Sequence, residues 1–329
     1  MKLLVIILNY RITDLTIDCL RSLEPEVNRV PGMKVAVLEN GTGGDAERRL
    51  REAIVSNGWG PWAELTAVTP NRGFTGGNNI IIRQWMGSPE PPEYFLLLNA
   101  DTLVRPGAFE SLVRFMDRHP EAGIAGSRLL WPDGPPQGSP FRFPNIATEF
   151  DRGLRLGVVT RLLSRWVARI PPPDADCRVD WVSGASTIIR RAVVEAIGPL
   201  DEGLYSYFDD VDYCMNALRA GWQTWFVPGS EVVHLEGAST GINAKAVTRR
   251  PGYWFEARRR FYLRNYGPAY TVATDAAFLV GFALWRMRRR IQGKPDTDPP
   301  HMLYDSFRNS VFMTGLKIRE VRNPALGKG

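Results

Sequence analysis

The chain is poor in cysteine and histidine and has no long apolar run. Cys19, Cys177 and Cys214 are widely spaced, odd in number and form no CxxC pair. That argues against a disulfide framework or a cysteine zinc site and points to a reducing compartment. No stretch of about 20 uncharged apolar residues occurs, so a clean membrane span is not expected. The longest candidate, Ala269 to Trp285, is 17 residues long and is interrupted by Asp275. The apolar run Leu3 to Leu8 lacks a small-residue cleavage site after it and reads as a buried strand, not a signal peptide. GxxxxGK[ST] is absent, and no cysteine has a recognisable histidine partner.

What is present is a globular composition: 329 residues, 44% hydrophobic and 23% charged, with a net charge of +6. The charge is uneven. Residues 1–248 hold 25 basic and 29 acidic side chains, and residues 249–329 hold 16 basic and 6 acidic. A neutral-to-acidic body with a basic tail argues against a nucleic-acid coat over the whole surface, and no nucleic-acid partner is expected.

Through residue 125, short β-branched runs alternate with helix-like segments. Strands are expected at Leu3–Leu8, Lys34–Leu38, Leu65–Val68 and Tyr94–Leu98, with helices at Asp45–Val55, from Ile80, and at Pro106–Arg118. This spacing predicts βαβ units and an α/β fold with a parallel sheet buried on both faces. Ligands of such sheets collect at the carboxyl ends of strands. Those ends carry Asn9, Glu39-Asn40 and Asn99-Asp101. A Pro-rich stretch, Pro132 to Pro144, reads as a loop or mobile excursion, followed by an amphipathic segment at 154–167 and a strand-like Val179–Ile189.

Several clusters could carry chemistry, and each has a plainer reading beside it. Asp101, directly after a strand, could hold a divalent cation with substrate phosphates completing the shell, or could cap the next helix. Asn71 to Asn79 contains three glycines and three asparagines, which suits close approach to a sugar or phosphate but equally a simple turn. Asp209, Asp210 and Asp212 precede a helical run. Acids there favour the helix dipole, yet mutual repulsion raises the pKa of at least one, as a general base requires. His234 ends a strand-like segment and could be a metal ligand or a structural residue.

Together, in this order, these segments resemble the family 2 inverting glycosyltransferases of the GT-A fold, especially the rhamnosyltransferase-like branch. The resemblance rests on Val5–Tyr10, Val37-Leu-Glu-Asn-Gly41, Asn71–Asn79, Leu97-Leu-Asn-Ala-Asp-Thr102, Asp180–Ala185, Phe208–Cys214 with Arg219–Trp222, and Val227–His234. It implies a GT-A domain over residues 1–245, with a donor-binding half to about 125 and an acceptor and catalytic half beyond. Residues 246–329 would form a basic, aromatic-rich helical extension.

The resemblance also implies roles. Asn9, Glu39 and Asn40 would line the nucleotide base and ribose, and Asn71, Gly73 and Asn78 would contact the donor. Asp101, in an Asn99-Ala-Asp101 version of the DxD motif, would bind Mg²⁺ or Mn²⁺, with His234 as a second ligand. Asp210 would be the base, with Asp209 in the place of the usual Glu, and Trp181 and Gly184 would border the acceptor. The implied reaction moves a sugar, rhamnose among the candidates, from a dTDP-, UDP- or GDP-linked donor to a glycan or lipid-linked acceptor in bacterial surface polysaccharide synthesis.

Arg258-Arg-Arg260, Arg264, Arg286 and Arg288-Arg-Arg290 flank the apolar segment 269–285. Residues 255–290 could therefore lie on the anionic inner face of the cell membrane, giving a cytoplasmic protein with peripheral attachment. They could equally pack on the body or make a homo-oligomer contact. A nucleotidyltransferase, or a binding protein without turnover on the same fold, are the rival functions. The first would be expected to carry a glycine-rich basic loop near the first strand, and Tyr10-Arg-Ile-Thr-Asp14 has no glycine.

Overall fold

The computed structural model describes residues 1–235 and 248–318. The expected domain boundary at 245 lies outside the described residues. The first half runs β1 (Leu3–Asn9), α1 (Thr13–Arg29), β2 (Met33–Asn40), α2 (Ala46–Ser56), β3 (Ala63–Val68), α3 (Gly73–Met86), β4 (Tyr94–Asn99), β5 (Thr102–Val104), α4 (Ala108–Arg118) and β6 (Ala122–Leu130). The alternation of β1 explains its place in the sheet. Leu3, Val5 and Ile7 pack on one face and Leu4 and Ile6 on the other, all fully or nearly fully buried. Helices α1, α2 and α4 cover the first face, while α3 and later helices cover the second.

The chain continues through β7 (Pro140–Phe141), α5 (Ile146–Leu154), α6 (Gly157–Leu162), β8 (Cys177–Val179), β9 (Trp181–Val182), β10 (Ser186–Arg190), α7 (Arg191–Ile197), α8 (Asp209–Arg219) and β11 (Gln223–His234). The main sheet has the order β3-β2-β1-β4-β10-β6-β11-β5, with β8 pairing β11; β7 and β9 form a separate pair. It is parallel from β3 to β4, but β10 runs antiparallel between β4 and β6. The expectation of an α/β fold with a mostly parallel sheet and C-terminal helices therefore holds, with β10, β5 and β8 as antiparallel members. Three buried serines tie its centre: Ser127 Oγ lies 2.8 Å from both Ser186 Oγ and Ser230 Oγ, joining β6, β10 and β11.

Two local expectations change. The glycine-rich stretch from 71 is not all turn, because α3 already begins at Gly73. Gly77 lies where a Cβ would meet Leu8, Leu38 and the Asn40 amide at 3.0–3.2 Å, so tertiary packing overrides the poor helix propensity of glycine. The strand-like run 179–189 is broken into β8, β9 and β10.

Beyond residue 248 the chain forms α9 (Gly252–Tyr266), α10 (Pro268–Ile291), α11 (Met302–Arg308) and α12 (Val311–Thr314). Among the described residues no helix is long and apolar enough to cross a membrane. Helix α10 crosses α5 at Gly153 and Gly281. A Cβ at either would come within 2.6–2.7 Å of the other helix's carbonyl oxygen. Several arginines of this region are paired with acids. Arg258 is bonded to buried Glu149 (2.7 Å) and Asp275; Arg260 and Arg264 are bonded to Asp201; Arg286 and Arg289 are bonded to Asp296. Arg288 donates to the carbonyls of Leu154 and Arg155. Of the readings open for 255–290, packing on the body is what the structure displays.

Candidate active site

Strand register sets the site. In β1, Asn9 lies beside Glu39 of β2, and Leu8 lies beside Asn99 of β4, so the polar carboxyl ends are level along one edge. A cleft of about 880 Å³ opens there, lined by Tyr10, Asn40, Asn71, Gly73, Asn99, Asp101, Trp181, Gly184, Asp209, Asp210 and His234 among others. Asn9, Glu39 and Asn78 are not among its lining residues. Asn9 is fully buried, with its amide engaged by Thr16 (2.8 Å) and Thr42 (3.3 Å). The Glu39 carboxylate accepts from the backbone of Gly41 and Thr42 (3.2 and 2.6 Å). Asn78 donates to the Phe74 carbonyl one helical turn back. These three brace the loops from within.

One wall of the cleft is built from the start of α3. Asn40 receives the Arg72 N–H and donates to the Gly73 carbonyl (2.9 and 3.0 Å), and Asn71 receives the Gly73 N–H at 2.7 Å. Gly73 has φ +73°, and a Cβ there would stand 2.5 Å from the Tyr205 ring. Only glycine fits this close, left-handed turn. The Phe74 N–H then donates to the Tyr205 carbonyl (2.8 Å), and Asn79 latches onto the backbone of Leu200 through both ends of its amide. Segment 199–208 is thus held against α3.

Pairing of β11 with β5 sets His234 opposite Thr102, and Leu235 N–H donates to the Asp101 carbonyl. His234 Nε2 consequently lies 3.5 Å from Asp101 Oδ1 and 3.4 Å from Asn99 Nδ2, with Asp101 4% and His234 8% exposed. On the far side of the ring, His234 Nδ1 is 3.2 Å from Gln137 Oε1, while Gln137 Nε2 donates to the His234 carbonyl at 2.6 Å. The glutamine's orientation is fixed by that second bond, so its Oε1 accepts a hydrogen bond from Nδ1–H, and Nε2 faces Asp101. Gln137 belongs to the Pro-rich excursion, which therefore carries a buried positioning residue. Among the described residues no group of three or more His, Cys, Asp or Glu could hold a metal, so any cation here has two such side chains and must complete its shell from other groups.

The carboxylate cluster sits at the start of α8. Tyr207 and Phe208 both have positive φ, 71° and 61°, a conformation that costs a non-glycine residue of order 1–3 kcal/mol and persists only where its surroundings impose it. The turn delivers Asp209 and Asp210 to the cleft. Asp210 accepts from the N–H of Gly184 (3.2 Å) and of Val211 (2.8 Å). Burial raises the pKa of both acids above the ordinary range, and the Asp210 charge lifts Asp209 further. The two backbone donors favour the ionised form of Asp210. Of the two, Asp209 is pushed further up, by its deeper burial and by the neighbouring Asp210 charge. Asp212 points elsewhere, accepting from Asn265 of α9 at 2.6 Å and from Asn216 at 2.9 Å.

Trp181 and Gly184 lie on the same cleft, with Trp181 stacked on Phe141 at 4.2 Å between centroids. Sequence reasoning missed Gln137, Tyr205 and Tyr253. Tyr253, on α9, lines the cleft and packs its ring 5.4 Å from that of Tyr205. The interleaving of aromatics with arginines after residue 249 was the available signal, and it pointed to the helix without pointing to the cleft.

The family described as glycosyltransferase like family 2 matches residues 2–252. A curated relative, N-acetylglucosaminyl-diphospho-decaprenol L-rhamnosyltransferase of Mycobacterium tuberculosis, is 27% identical over 223 residues, 62% of this chain and 69% of that protein. Rhamnosyltransferase WbbL of Escherichia coli K12 is 22% identical over 169 residues, 49% of this chain and 60% of that one. Among solved structures, GalNAc-T7 with UDP, GalNAc and Mn²⁺ gives a TM-score of 0.61 at 14% identity, covering 90% of this chain and 55% of its own. The mannosyltransferase PcManGT from Pyrobaculum calidifontis, with GDP-Man and Mn²⁺, gives 0.52 at 12% identity, covering 96% and 84%. At these identities the structural likeness is one of fold.

Proposed function

The chain belongs to glycosyltransferase family 2, and we propose that it is an inverting transferase that moves a sugar, rhamnose first among the candidates, from a nucleotide-diphosphate donor to a glycan or lipid-linked acceptor in bacterial surface polysaccharide synthesis. The observation that carries this is the placement of Asp210, anchored by the Gly184 and Val211 N–H groups, on the same cleft as the Asp101–His234 pair. The names of the two rhamnosyltransferase relatives support the sugar, and the diphospho-decaprenol in one name supports a lipid-linked acceptor.

In this reading Asp210 takes the proton of the acceptor hydroxyl as that oxygen attacks the anomeric carbon. The bond from that carbon to the diphosphate breaks on the opposite face, and the nucleoside diphosphate leaves. One attack on one face inverts the centre, so no protein nucleophile is needed. Asp209, holding its proton, adds no second charge beside the base. Asn40, Asn71 and Gly73 shape the donor wall, and Trp181 with Gly184 borders the acceptor.

The residues present fit a divalent cation. A hard carboxylate oxygen faces an imidazole nitrogen whose proton is held on the far side by Gln137, a donor set that suits Mg²⁺ or Mn²⁺. Asp101 and His234 would hold it, and when bound it supplies Lewis-acid neutralisation of the diphosphate charge.

A thermal-shift panel of dTDP-rhamnose, UDP-N-acetylglucosamine and GDP-mannose, with and without Mn²⁺, tests this reading. One donor is expected to raise the melting temperature in a metal-dependent way, and Asp101→Asn is expected to abolish the metal dependence. No shift with any nucleotide sugar contradicts the proposal.

A further inference from the structure

Residues 152–173 contain five arginines and no acidic residue. Arg152 is bonded to Glu149 and Arg155 to Asp298, whereas Arg161, Arg165 and Arg169 are exposed and have no ion pair among the described residues. That sets them apart from the arginines of α9 and α10 that face acids. Beside them Val158 and Leu162, one turn apart on α6, and Trp166 in the turn that follows it are 65, 72 and 55% exposed. An apolar stripe of this length left in water, ringed by unpaired cations, marks a docking face and not a core.

The segment also adjoins the cleft. After α6 the chain returns to the acceptor wall, where Arg142 N–H donates to the Ala168 carbonyl (2.7 Å) and Phe141 bridges to Arg169 before stacking on Trp181.

We propose that residues 157–169 dock on an anionic phospholipid surface. Val158, Leu162 and Trp166 enter the boundary between headgroups and acyl chains, and Arg161, Arg165 and Arg169 lie against lipid phosphates. The acceptor side of the cleft then faces the bilayer from which a lipid-linked acceptor would come. This last orientation rests on the transferase reading; the docking does not. Charge complementarity selects the occupant, because a second copy meeting this face symmetrically would set the same three cations against each other. This contact at α6 and the turn after it is separate from the membrane contact expected at 255–290.

Co-sedimentation of the full chain with phosphatidylcholine vesicles, with or without phosphatidylglycerol, tests the proposal without any substrate, so its failure is separable from failure of the transferase reading. Binding is expected only to the anionic vesicles and should weaken as salt rises. The surface variant Arg161→Ser/Arg165→Ser/Arg169→Ser should keep the wild-type melting temperature and lower the partition coefficient by about a hundredfold. Leu162→Ser/Trp166→Ser should lower it as well. Absence of binding to anionic vesicles overturns the proposal, as does undiminished binding by the arginine variant. So does a concentration-dependent dimer that Leu162→Glu dissolves while vesicle binding is missing.

Discussion

Asp209 and Asp210 stand side by side at the start of α8, Asp209 buried and Asp210 half-buried. The Gly184 and Val211 N–H groups stabilise charge on Asp210, while Asp209, the more deeply buried of the two, also feels that charge. A carboxyl whose folded pKa is raised binds protons more tightly in the native state than in the unfolded one. Its ionisation then costs stability, and stability falls as pH rises from the ordinary aspartate value through the folded one. Asp209→Asn, which cannot ionise, should therefore melt a few degrees above wild type at neutral pH, with the gap closing as the pH is lowered toward about 4; equal melting temperatures at neutral pH would remove the assignment of the proton to Asp209.

Gln137 gives a second residue-scale prediction. It orients His234 without touching the position of a cation, so Gln137→Leu should weaken Mn²⁺ binding by about 10–100-fold, read from the Mn²⁺ dependence of the melting temperature with nucleotide bound. The acids were legible in the sequence because three carboxylates in four residues are conspicuous. Gln137 was not, since its role depends on a proline-rich loop folding back over β11, a contact 97 residues away in the chain.

At the scale of elements, the apolar runs of β1, β2 and β4 identified themselves, because strands buried on both faces read as unbroken hydrophobic stretches. The start of α3 did not, because its glycines answer to close packing on Leu8 and Leu38 and not to local propensity. A helical C-terminal region was expected, but the contribution of α9 to the cleft was not. This helix delivers Tyr253 to the cleft and holds Asp201 and Asp212 through Arg260, Arg264 and Asn265, so it braces both ends of the turn that presents the acids. Its anchor is the Arg258–Glu149 pair, backed by Tyr262 at 2.9 Å. Burial opposes ionisation of Glu149, but Arg152, Arg258 and the Tyr262 hydroxyl outweigh it and hold the acid below its usual range. Glu149 therefore contributes stability that is present above the ordinary glutamate value and lost as pH falls through the folded one. Arg258→Met, which leaves Glu149 buried without its main partner, should lower unfolding stability by about 3–5 kcal/mol, measured by denaturant titration at neutral pH.

Across the whole molecule, the net charge of +6 hides two arrangements. Three of the acids of residues 1–235, Asp101, Asp209 and Asp210, line the cleft. The basic C-terminal helices pair many of their arginines with acids, while Arg161, Arg165 and Arg169 on the acid-free stretch around α6 are exposed without an ion pair among the described residues. A count of residues by segment could show the imbalance but not which cations had partners, because ion pairing is decided by tertiary contacts between distant segments. The site thus lies where the body, the excursion at 132–144 and α9 meet, and its chemistry depends on all three.

The most direct measurement is the transfer rate of Asp210→Asn under saturating donor and acceptor, with donor affinity measured on the same protein. With Asp210 as the base, kcat should fall by about 10²–10⁴-fold while donor affinity stays near the wild-type value. Undiminished transfer by this variant, with donor bound, would contradict the account.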